Sequence, residues 1–151
     1  MNRYSVAYCN PQVIAQSEHY FRLTKYLRDQ IEVATTDEAK EHIKKEEHNR
    51  RKNTVAMYIS RVIRKWKDKN YIMCPYGFDD HWILIVIQPK RGLAVVLDSA
   101  DYPHEKYAEF IEILHKFIHR EICHEKVLYY SDESKLAKDK CHQLRNWDSA
   151  R

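Results

Sequence analysis

The sequence is poor in glycine, and its cysteines show no pairing pattern. Only two glycines, Gly77 and Gly92, occur among the 151 residues. A phosphate-binding loop needs several closely spaced glycines, so nucleotide-binding motifs of that kind are excluded. The four cysteines are widely separated and form no C-x-x-C pair: Cys9, Cys74, Cys123 and Cys141. This pattern favours free thiols in a reducing compartment, the nucleus or the cytoplasm.

Long apolar runs are missing as well. The longest, Trp82–Ile87, is far shorter than the roughly 20 residues that a membrane-spanning helix needs. The segment Met1–Cys9 contains no apolar stretch of the secretory type. The formal net charge of +4 is compatible with an acidic partner but does not by itself predict nucleic-acid binding. We therefore expect neither a membrane-bound nor a secreted protein.

The composition is that of one folded domain. The chain is 44% hydrophobic and 32% charged, which suits a single hydrophobic core. It shows no internal repeat and no linker. We expect one α+β domain over residues 1–151, in which 1–53 form a poorly defined helical N-terminal part, 54–143 form the core and 144–151 form a polar tail.

Three segments in the first half have helical character. Val13–Leu27 has weak helical spacing, and Thr35 with Glu38 fits a capping box at the start of a helix. The next stretch, Lys40–Lys52, is almost wholly charged, which is typical of a solvated helix. A clearer helix follows, because apolar residues recur on one face at Val55, Tyr58, Ile59, Val62, Ile63 and Trp66.

Two apolar, β-branched runs in the middle of the chain predict a hairpin. Trp82–Gln88 and Leu93–Leu97 have the composition of strands buried on both faces. Pro89–Gly92 separates them and has turn composition. Before the hairpin, Tyr71–Met73 is predicted to be a short strand that ends at Pro75, followed by a loop over residues 76–80.

A helix and a further strand are predicted after the hairpin. Pro103 is a tolerated first residue for a helix, and Val127–Tyr130 has strand composition. The apolar stripe of this helix comprises Tyr107, Phe110, Ile111, Leu114, Phe117 and Ile118. We predict that Phe110, Leu114 and Phe117 pack against Ile83, Ile85, Ile87, Val95 and Leu97 of the hairpin.

The hairpin brings a histidine and an aspartate together. If the four-residue turn pairs Gln88 with Leu93, antiparallel register sets Ile83 opposite Asp98. His81 is two residues from Ile83 and therefore projects from the same face of the sheet. His81 and Asp98 are then diagonal neighbours about 7–8 Å apart at Cα, within side-chain reach. A carboxylate at this distance can hold one imidazole nitrogen protonated and leave the other as a base.

Three motifs in this region resemble the Ulp1 and sentrin-specific protease family. They are Tyr71–Tyr76 (YIMCPY), His81–Ile87 (HWILIVI) and Val95–Ser99 (VVLDS). The sequence is most similar to divergent members from plant genomes, many of them linked to transposons. The resemblance extends to about Gln143 and implies a papain-like fold of the Ulp1 type.

The resemblance also implies roles for individual residues. His81 corresponds to the general base, Asp98 to the residue that orients it, and Gln143 to the donor that stabilises the oxyanion. Trp82 is expected to line the channel that receives the tail of a ubiquitin-like modifier. The implied reaction is cysteine-type hydrolysis of the peptide or isopeptide bond that follows the modifier, with the modifier or its conjugates as partner and no cofactor.

The nucleophile of this family does not stand where the resemblance places it. The family carries a cysteine a few residues after the glutamine, but no cysteine follows Gln143 in this sequence. In one alignment Ser149 replaces the nucleophile, and in another the similarity ends after Gln143. Cys141 precedes Gln143. Cys74 precedes Pro75 near the expected active-site end of the strands and could lie within reach of His81, but it is more typical of a small buried thiol. We therefore expect a C-terminally incomplete, inactive fragment, and as an alternative a noncatalytic module that binds a modifier or a transposon complex.

Two other clusters favour solvated helix faces over binding sites. His115, His119 and Cys123 recur every four residues, with His124 adjacent, and such spacing could hold zinc. Without a paired cysteine motif we predict no metal. Basic residues that could contact nucleic acid are interspersed with Glu41, Glu46 and Glu47, so we do not expect nucleic acid as a partner. The basic residues are Arg50, Arg51, Lys52, Arg61, Arg64 and Lys65.

Overall fold

The computed structural model describes residues 3–121, 126–131 and 142–143, with side-chain surroundings up to residue 116. Its strands are β1 (Val6–Tyr8), β2 (Tyr71–Phe78), β3 (His81–Gln88), β4 (Leu93–Asp98), β5 (Lys126–Ser131) and β6 (His142–Gln143). Its helices are α1 (Pro11–Ile14), α2 (Gln16–His19), α3 (Lys25–Val33), α4 (Asp37–Trp66) and α5 (Ala108–Glu121). The α+β class predicted from the sequence is confirmed.

The described strands form one sheet in chain order, β1-β2-β3-β4-β5-β6. The β2–β3, β3–β4 and β5–β6 pairs are antiparallel, whereas β1–β2 and β4–β5 are parallel. A parallel pair needs a long crossover, and α5 lies between β4 and β5 in the chain. The predicted strand at Val127–Tyr130 is thus confirmed as part of β5.

The β3–β4 hairpin has the predicted register. Gln88 pairs with Leu93 and Leu84 pairs with Leu97, so the next row places Ile83 beside Asp98. The connection is a short 3-10 turn, Pro89–Arg91, followed by Gly92 at φ 57°. Glycine adopts this left-handed conformation without steric cost, which allows the chain to reverse here.

One face of the sheet packs against α4 and α5 and forms the core. Its buried residues alternate along the strands: Ile72, Cys74, Tyr76, Phe78, Ile83, Ile85, Ile87, Ala94 and Val96. The same core receives Tyr107, which directly precedes α5, and the following residues of α4 and α5: Val55, Ala56, Ile59, Val62, Ile63, Phe110, Ile111, Ile113 and Leu114. The predicted stripes of both helices are therefore confirmed, while the side chains of Phe117 and Ile118 lie outside the described residues.

The predicted contribution of β4 to this core is wrong. Ala94 and Val96 are buried at 1% exposure each, whereas Leu97 is 41% exposed. In the observed register Ile85 pairs with Val96 and Ile87 with Ala94, so Val95 and Leu97 project from the other face. The register that places His81 near Asp98 also places Ala94 and Val96 on the core face of β4.

The predicted end of β2 at Pro75 is also wrong. The strand continues to Phe78, and Pro75 pairs with Leu84 of β3. Proline is tolerated in a strand where its missing N–H has no partner. The pairing of β1 with β2 ends at Met73, so Pro75 lies beyond the described part of that neighbouring strand.

A single helix of 30 residues, α4, replaces the two helical segments that the sequence suggested. Its cap is Thr36 and not Thr35, because the Thr36 hydroxyl accepts the N–H of Ala39 at 3.1 Å. Its first half is charged and its second half supplies the core. The boundary drawn at residue 53 falls inside this helix. Among the described residues no helix combines the length and apolarity needed to span a membrane.

Candidate active site

A histidine and an aspartate from the β3–β4 hairpin form a hydrogen-bonded pair. His81 opens β3, Asp98 closes β4, and the distance from His81 Nε2 to Asp98 Oδ1 is 2.7 Å. The Asp98 residue is only 5% exposed, while the His81 side chain is 14% exposed. The predicted proximity of the two residues on one sheet face is confirmed, and their catalytic roles stay predictions.

The carboxylate of Asp98 is fixed by the backbone that follows it. Ala100 N–H donates to Oδ1 at 3.0 Å, and Tyr102 N–H donates to Oδ2 at 2.8 Å. Asp101 has φ 49°, and this left-handed turn brings the chain back toward the carboxylate. Hydrogen bonds from amides and the imidazole satisfy a buried carboxylate that would otherwise be costly.

The imidazole of His81 lies between two aromatic rings. Tyr102 stacks on it with centroids 4.2 Å apart and an interplanar angle of 23°, and Phe78 meets it edge to face at 5.4 Å. With Nε2 donating to Asp98, the proton is on that nitrogen and Nδ1 keeps its lone pair. Within the described residues Nδ1 has no hydrogen bond. Sequence reasoning missed Tyr102, whose position depends on a loop without periodic pattern.

Trp82 lies on the opposite face of the sheet from His81. It pairs with Gly77 of β2, and its side chain is 60% exposed. A Cβ atom added at Gly77 would lie 3.0 Å from the indole, so the absence of a side chain there allows the ring to lie flat on the strand. The exposed indole next to His81 is available to a ligand, and the substrate contact of Trp82 stays a prediction.

Gln143 is placed only by its backbone. It pairs with Leu128 of β5, which in turn pairs with Val95 of β4. The Cα of Gln143 therefore lies two strands from β4 and level with Val95, which is three residues before Asp98. The Gln143 side chain, Cys141 and Ser149 lie outside the described residues, so the oxyanion role of Gln143 stays a prediction.

Cys74 is not close to His81. It pairs with Ile85, four residues along β3 from His81, which corresponds to about 13 Å. Its Sγ lies 2.7 Å from Sγ of Cys9, and both residues are buried. Burial raises the pKa of the Cys74 thiol well above its ordinary value, so the thiolate is disfavoured. The possibility that Cys74 serves as nucleophile to His81 is thus excluded by position.

A second histidine–carboxylate pair lies deeper in the molecule. His19 is fully buried, with Nδ1 2.5 Å from Glu109 Oε2 and Nε2 2.8 Å from the Tyr76 hydroxyl. His48 Nε2 approaches the other oxygen of Glu109 at 2.6 Å. Burial lowers the pKa of His19 although the Glu109 carboxylate raises it. Neutral His19 donates to Glu109 and accepts from Tyr76, so both of its nitrogens are occupied.

The described residues contain no group of three or more histidine, cysteine or acidic side chains that could hold a metal ion. Of the candidate zinc ligands, His119, Cys123 and His124 have side chains outside the described residues. An open groove of about 560 Å³ lies between α3 and α4, away from the hairpin. Its lining residues are Tyr26, Asp29, Gln30, Val33, Ala34 and Ile43.

Comparison with known proteins agrees with the hairpin motifs. No curated protein matches the chain. Among solved structures, the catalytic domain of the Chaetomium thermophilum Ulp1-like SUMO protease is similar over 45% of this chain and 31% of that chain, with 23% identity and a TM-score of 0.32. The match thus spans less than a third of the solved domain. Residues 7–147 match the Ulp1 protease family, C-terminal catalytic domain, and the chain belongs to that family.

Proposed function

We propose that this chain contributes the acid–base machinery of a cysteine-type peptidase that cleaves after a ubiquitin-like modifier. The observation that carries the proposal is the His81–Asp98 pair, in which one imidazole nitrogen lies 2.7 Å from a buried carboxylate. The other nitrogen has no hydrogen-bond partner in the part of the chain that the structure describes. Family membership over residues 7–147 supports the same chemistry. No step of this chemistry requires a cofactor.

In the first half-reaction His81 acts as the base. Nδ1 takes the proton of a cysteine thiol, and the thiolate attacks the carbonyl carbon of the scissile bond. Asp98 holds the Nε2–H and stabilises the imidazolium that forms. We assign the oxyanion of the tetrahedral intermediate to the side-chain amide of Gln143. The intermediate collapses, His81 protonates the leaving amine, and a thioester remains.

In the second half-reaction water replaces the amine. Nδ1 of His81 takes a proton from the water, whose oxygen attacks the thioester carbonyl. Collapse of the second intermediate releases the modifier with a free carboxylate and returns the proton to the thiolate. Trp82 lies one residue from the base, and we propose that its exposed indole contacts the extended tail of the modifier.

The nucleophile is the part of this scheme that the 151 residues do not supply by themselves. A serine at position 149 would be a much weaker nucleophile than a thiol that shares its proton with a histidine. We therefore propose that a polypeptide of these 151 residues binds a modifier without cleaving it. A reading frame that continues into a cysteine after Gln143 would complete the triad.

The second candidate function is a noncatalytic module that binds a modifier or a transposon complex. The Trp82 side chain favours it, because an indole that is 60% exposed can contact a protein partner without any catalytic step. Several of the basic residues considered for nucleic acid are engaged within the chain. Arg50 binds Glu47 through two hydrogen bonds, and Arg51 donates to the carbonyls of Ser17 and Tyr20. We therefore propose a protein partner in the nucleus or the cytoplasm.

A modifier with a C-terminal electrophile tests the proposal. The electrophile is presented on a panel of ubiquitin-like modifiers to the 151-residue chain and to a longer polypeptide translated from the full transcript. We expect an adduct with the longer polypeptide only, and its loss in His81→Ala. His42→Ala is the matched control, because the His42 side chain is 73% exposed on α4 and far from the hairpin in sequence.

Mass spectrometry of the adduct identifies the attacked residue. An adduct on the 151-residue chain that depends on His81 would contradict the proposed inactivity and would name Cys141, Ser149 or another nucleophile. An adduct on the longer polypeptide that survives His81→Ala would contradict the role of the base. Binding of the unmodified modifier without any adduct on either polypeptide would support the noncatalytic module.

A further inference from the structure

Two buried cysteines lie side by side where the first strand meets the sheet. Cys9 directly follows β1, and its N–H donates to Met73 O at 2.8 Å, which continues the parallel register of Tyr8 with Met73. Cys9 is therefore the in-register neighbour of Cys74. Neighbouring strands are about 4.8 Å apart, which lies within the Cα separation that a disulfide bridges.

The side chains also point at each other. Cys9 and Cys74 are 2% and 0% exposed, and their Sγ atoms are 2.7 Å apart. Both belong to the core on the helix-facing side of the sheet. Tyr58 of α4 accepts the N–H of Asn10, the residue after Cys9, at 2.7 Å. The two thiols thus meet at the junction of β1, β2 and α4.

We propose that Cys9 and Cys74 form a reversible disulfide, with a peroxide as oxidant. Each cysteine gives up its thiol hydrogen, one S–S bond forms, and two electrons break the O–O bond of hydrogen peroxide to yield two waters. Cys9 attacks the peroxide to form a sulfenic acid. Cys74, reached by water when β1 opens, then loses its proton and attacks that sulfur, and the sulfenic hydroxyl leaves with this proton as the second water. This inference depends on the strand geometry alone and is independent of the proposed peptidase activity.

Access to the pair runs through β1. This strand has only three residues, and its side chains Val6 and Tyr8 are exposed at 36% and 70%. Asn70 ties its start, because Asn70 Oδ1 accepts both the N–H and the hydroxyl of Ser5 at 3.0 Å. A short edge strand opens more readily than the central strands. Opening of β1 exposes Cys9, and closure returns it to Cys74.

The experiment uses the full chain with Cys123→Ala and Cys141→Ala, so that only the proposed pair remains. Hydrogen peroxide is added, and intact mass, alkylation after denaturation and Tm are measured. We expect a mass loss of about two hydrogens, no alkylation, and a Tm higher by about 5–15 °C that dithiothreitol reverses. Alkylation of both cysteines after exposure to peroxide, or oxygen adducts in place of the mass loss, would overturn the proposal.

A second variant tests the route. Asn70→Ala removes the two bonds that the Asn70 side chain accepts from Ser5 and keeps the backbone bond from the N–H of residue 70 to Ser5 O. We expect the cross-link to form about three to ten times faster. Asn53→Ala, at an exposed position of α4, is the matched control and should leave the rate unchanged. An equal rate in both variants would overturn access through β1. Cys74→Ala must abolish the mass loss, and its persistence there would overturn the assignment to this pair.

Discussion

The chain contains two histidine–carboxylate pairs that differ in burial and in the use of the imidazole nitrogens. In the pair at the end of the sheet, Nε2 of His81 donates a hydrogen bond to Asp98. Nδ1 has no hydrogen bond within the described residues and lies near the surface. In the interior pair, both nitrogens of His19 form hydrogen bonds, Nδ1 with Glu109 and Nε2 with the Tyr76 hydroxyl. His19 is 0% exposed, whereas the His81 side chain is 14% exposed.

The comparison shows that an imidazole beside a carboxylate is not by itself a catalytic signature. A base needs a nitrogen that is both unoccupied and accessible, which only His81 offers among these two. The interior pair instead joins residues 90 positions apart, His19 of α2 and Glu109 of α5, and thereby fixes the N-terminal segment to the core. We expect the two pairs to respond differently to the same perturbations.

Alanine substitution separates the pairs most strongly. His19→Ala leaves the Tyr76 hydroxyl without its partner, leaves Glu109 with His48 alone and creates a cavity. We therefore expect a loss of about 2–4 kcal/mol in the free energy of unfolding. His81→Ala opens a site that water can enter, and we expect a loss of about 1 kcal/mol. Urea denaturation of both variants gives the two values. A larger loss for His81→Ala would reverse the structural assignment of the pairs.

Acid is expected to act through the interior pair. Burial lowers the pKa of His19, so below about pH 6.5 the unfolded chain binds a proton that the folded chain resists. The free energy of unfolding should therefore fall as the pH falls from this value toward the folded-state pKa of His19. Urea midpoints between pH 8 and 5 measure the slope. His19→Gln should flatten it, whereas His42→Ala should not, and equal slopes would contradict the effect.

The ring stacked on His81 provides a finer test. Tyr102→Ala removes the stacking and should cost about 0.5–1.5 kcal/mol while the imidazole gains alternative orientations. Tyr102→Phe keeps the ring, so it should restore both properties. The imidazole ¹⁵N resonances of His81 report its tautomer and order. Unchanged resonances in Tyr102→Ala would show that Asp98 alone orients the His81 imidazole.

The smallest effect is expected at the other face of the sheet. Gly77→Ala places a Cβ 3.0 Å from the indole of Trp82, which is exposed enough to move aside. We expect a cost below about 1 kcal/mol, but a shift in Trp82 fluorescence. The measurement needs Trp66→Phe and Trp147→Phe to remove the other two indoles. A large loss of stability would mean that the indole is held firmly against β2.

Local patterns in the sequence were sufficient to predict the hairpin and its pair. Pro89–Gly92 sets the turn, and the turn sets the row in which Asp98 lies near His81. The helical stripes were equally informative, because burial imposes a period on them. The prediction that Val95 and Leu97 belong to the core is wrong although the predicted register is right. Residues that lie opposite each other share a face, so this register puts Ala94 and Val96 on the core face with Ile87 and Ile85.

Features that depend on distant or irregular contacts could not be predicted. His19 meets Glu109 and Tyr76 only through the packing of α2, α5 and β2, and no spacing rule connects these residues. Tyr102 reaches His81 through the left-handed turn at Asp101, which has no sequence signature of its own. The sequence predicts a strand end at Pro75, because whether a strand tolerates proline depends on which neighbouring strand is present.

The turn at Pro89–Arg91 has a consequence for sequence variation. It lies about 17 Å from the row of Asp98, and the described hydrogen bonds join it to neither His81 nor Asp98. Even so, it determines which residues of β3 and β4 lie opposite each other. An insertion of one residue that shifted the pairing by one would send His81 and Asp98 to opposite faces, whereas two residues that lengthen both strands equally would not. Relatives with an intact pair should therefore carry any odd change in the spacing of 17 residues inside the turn or in a bulge, where it leaves the paired rows of the two strands unchanged.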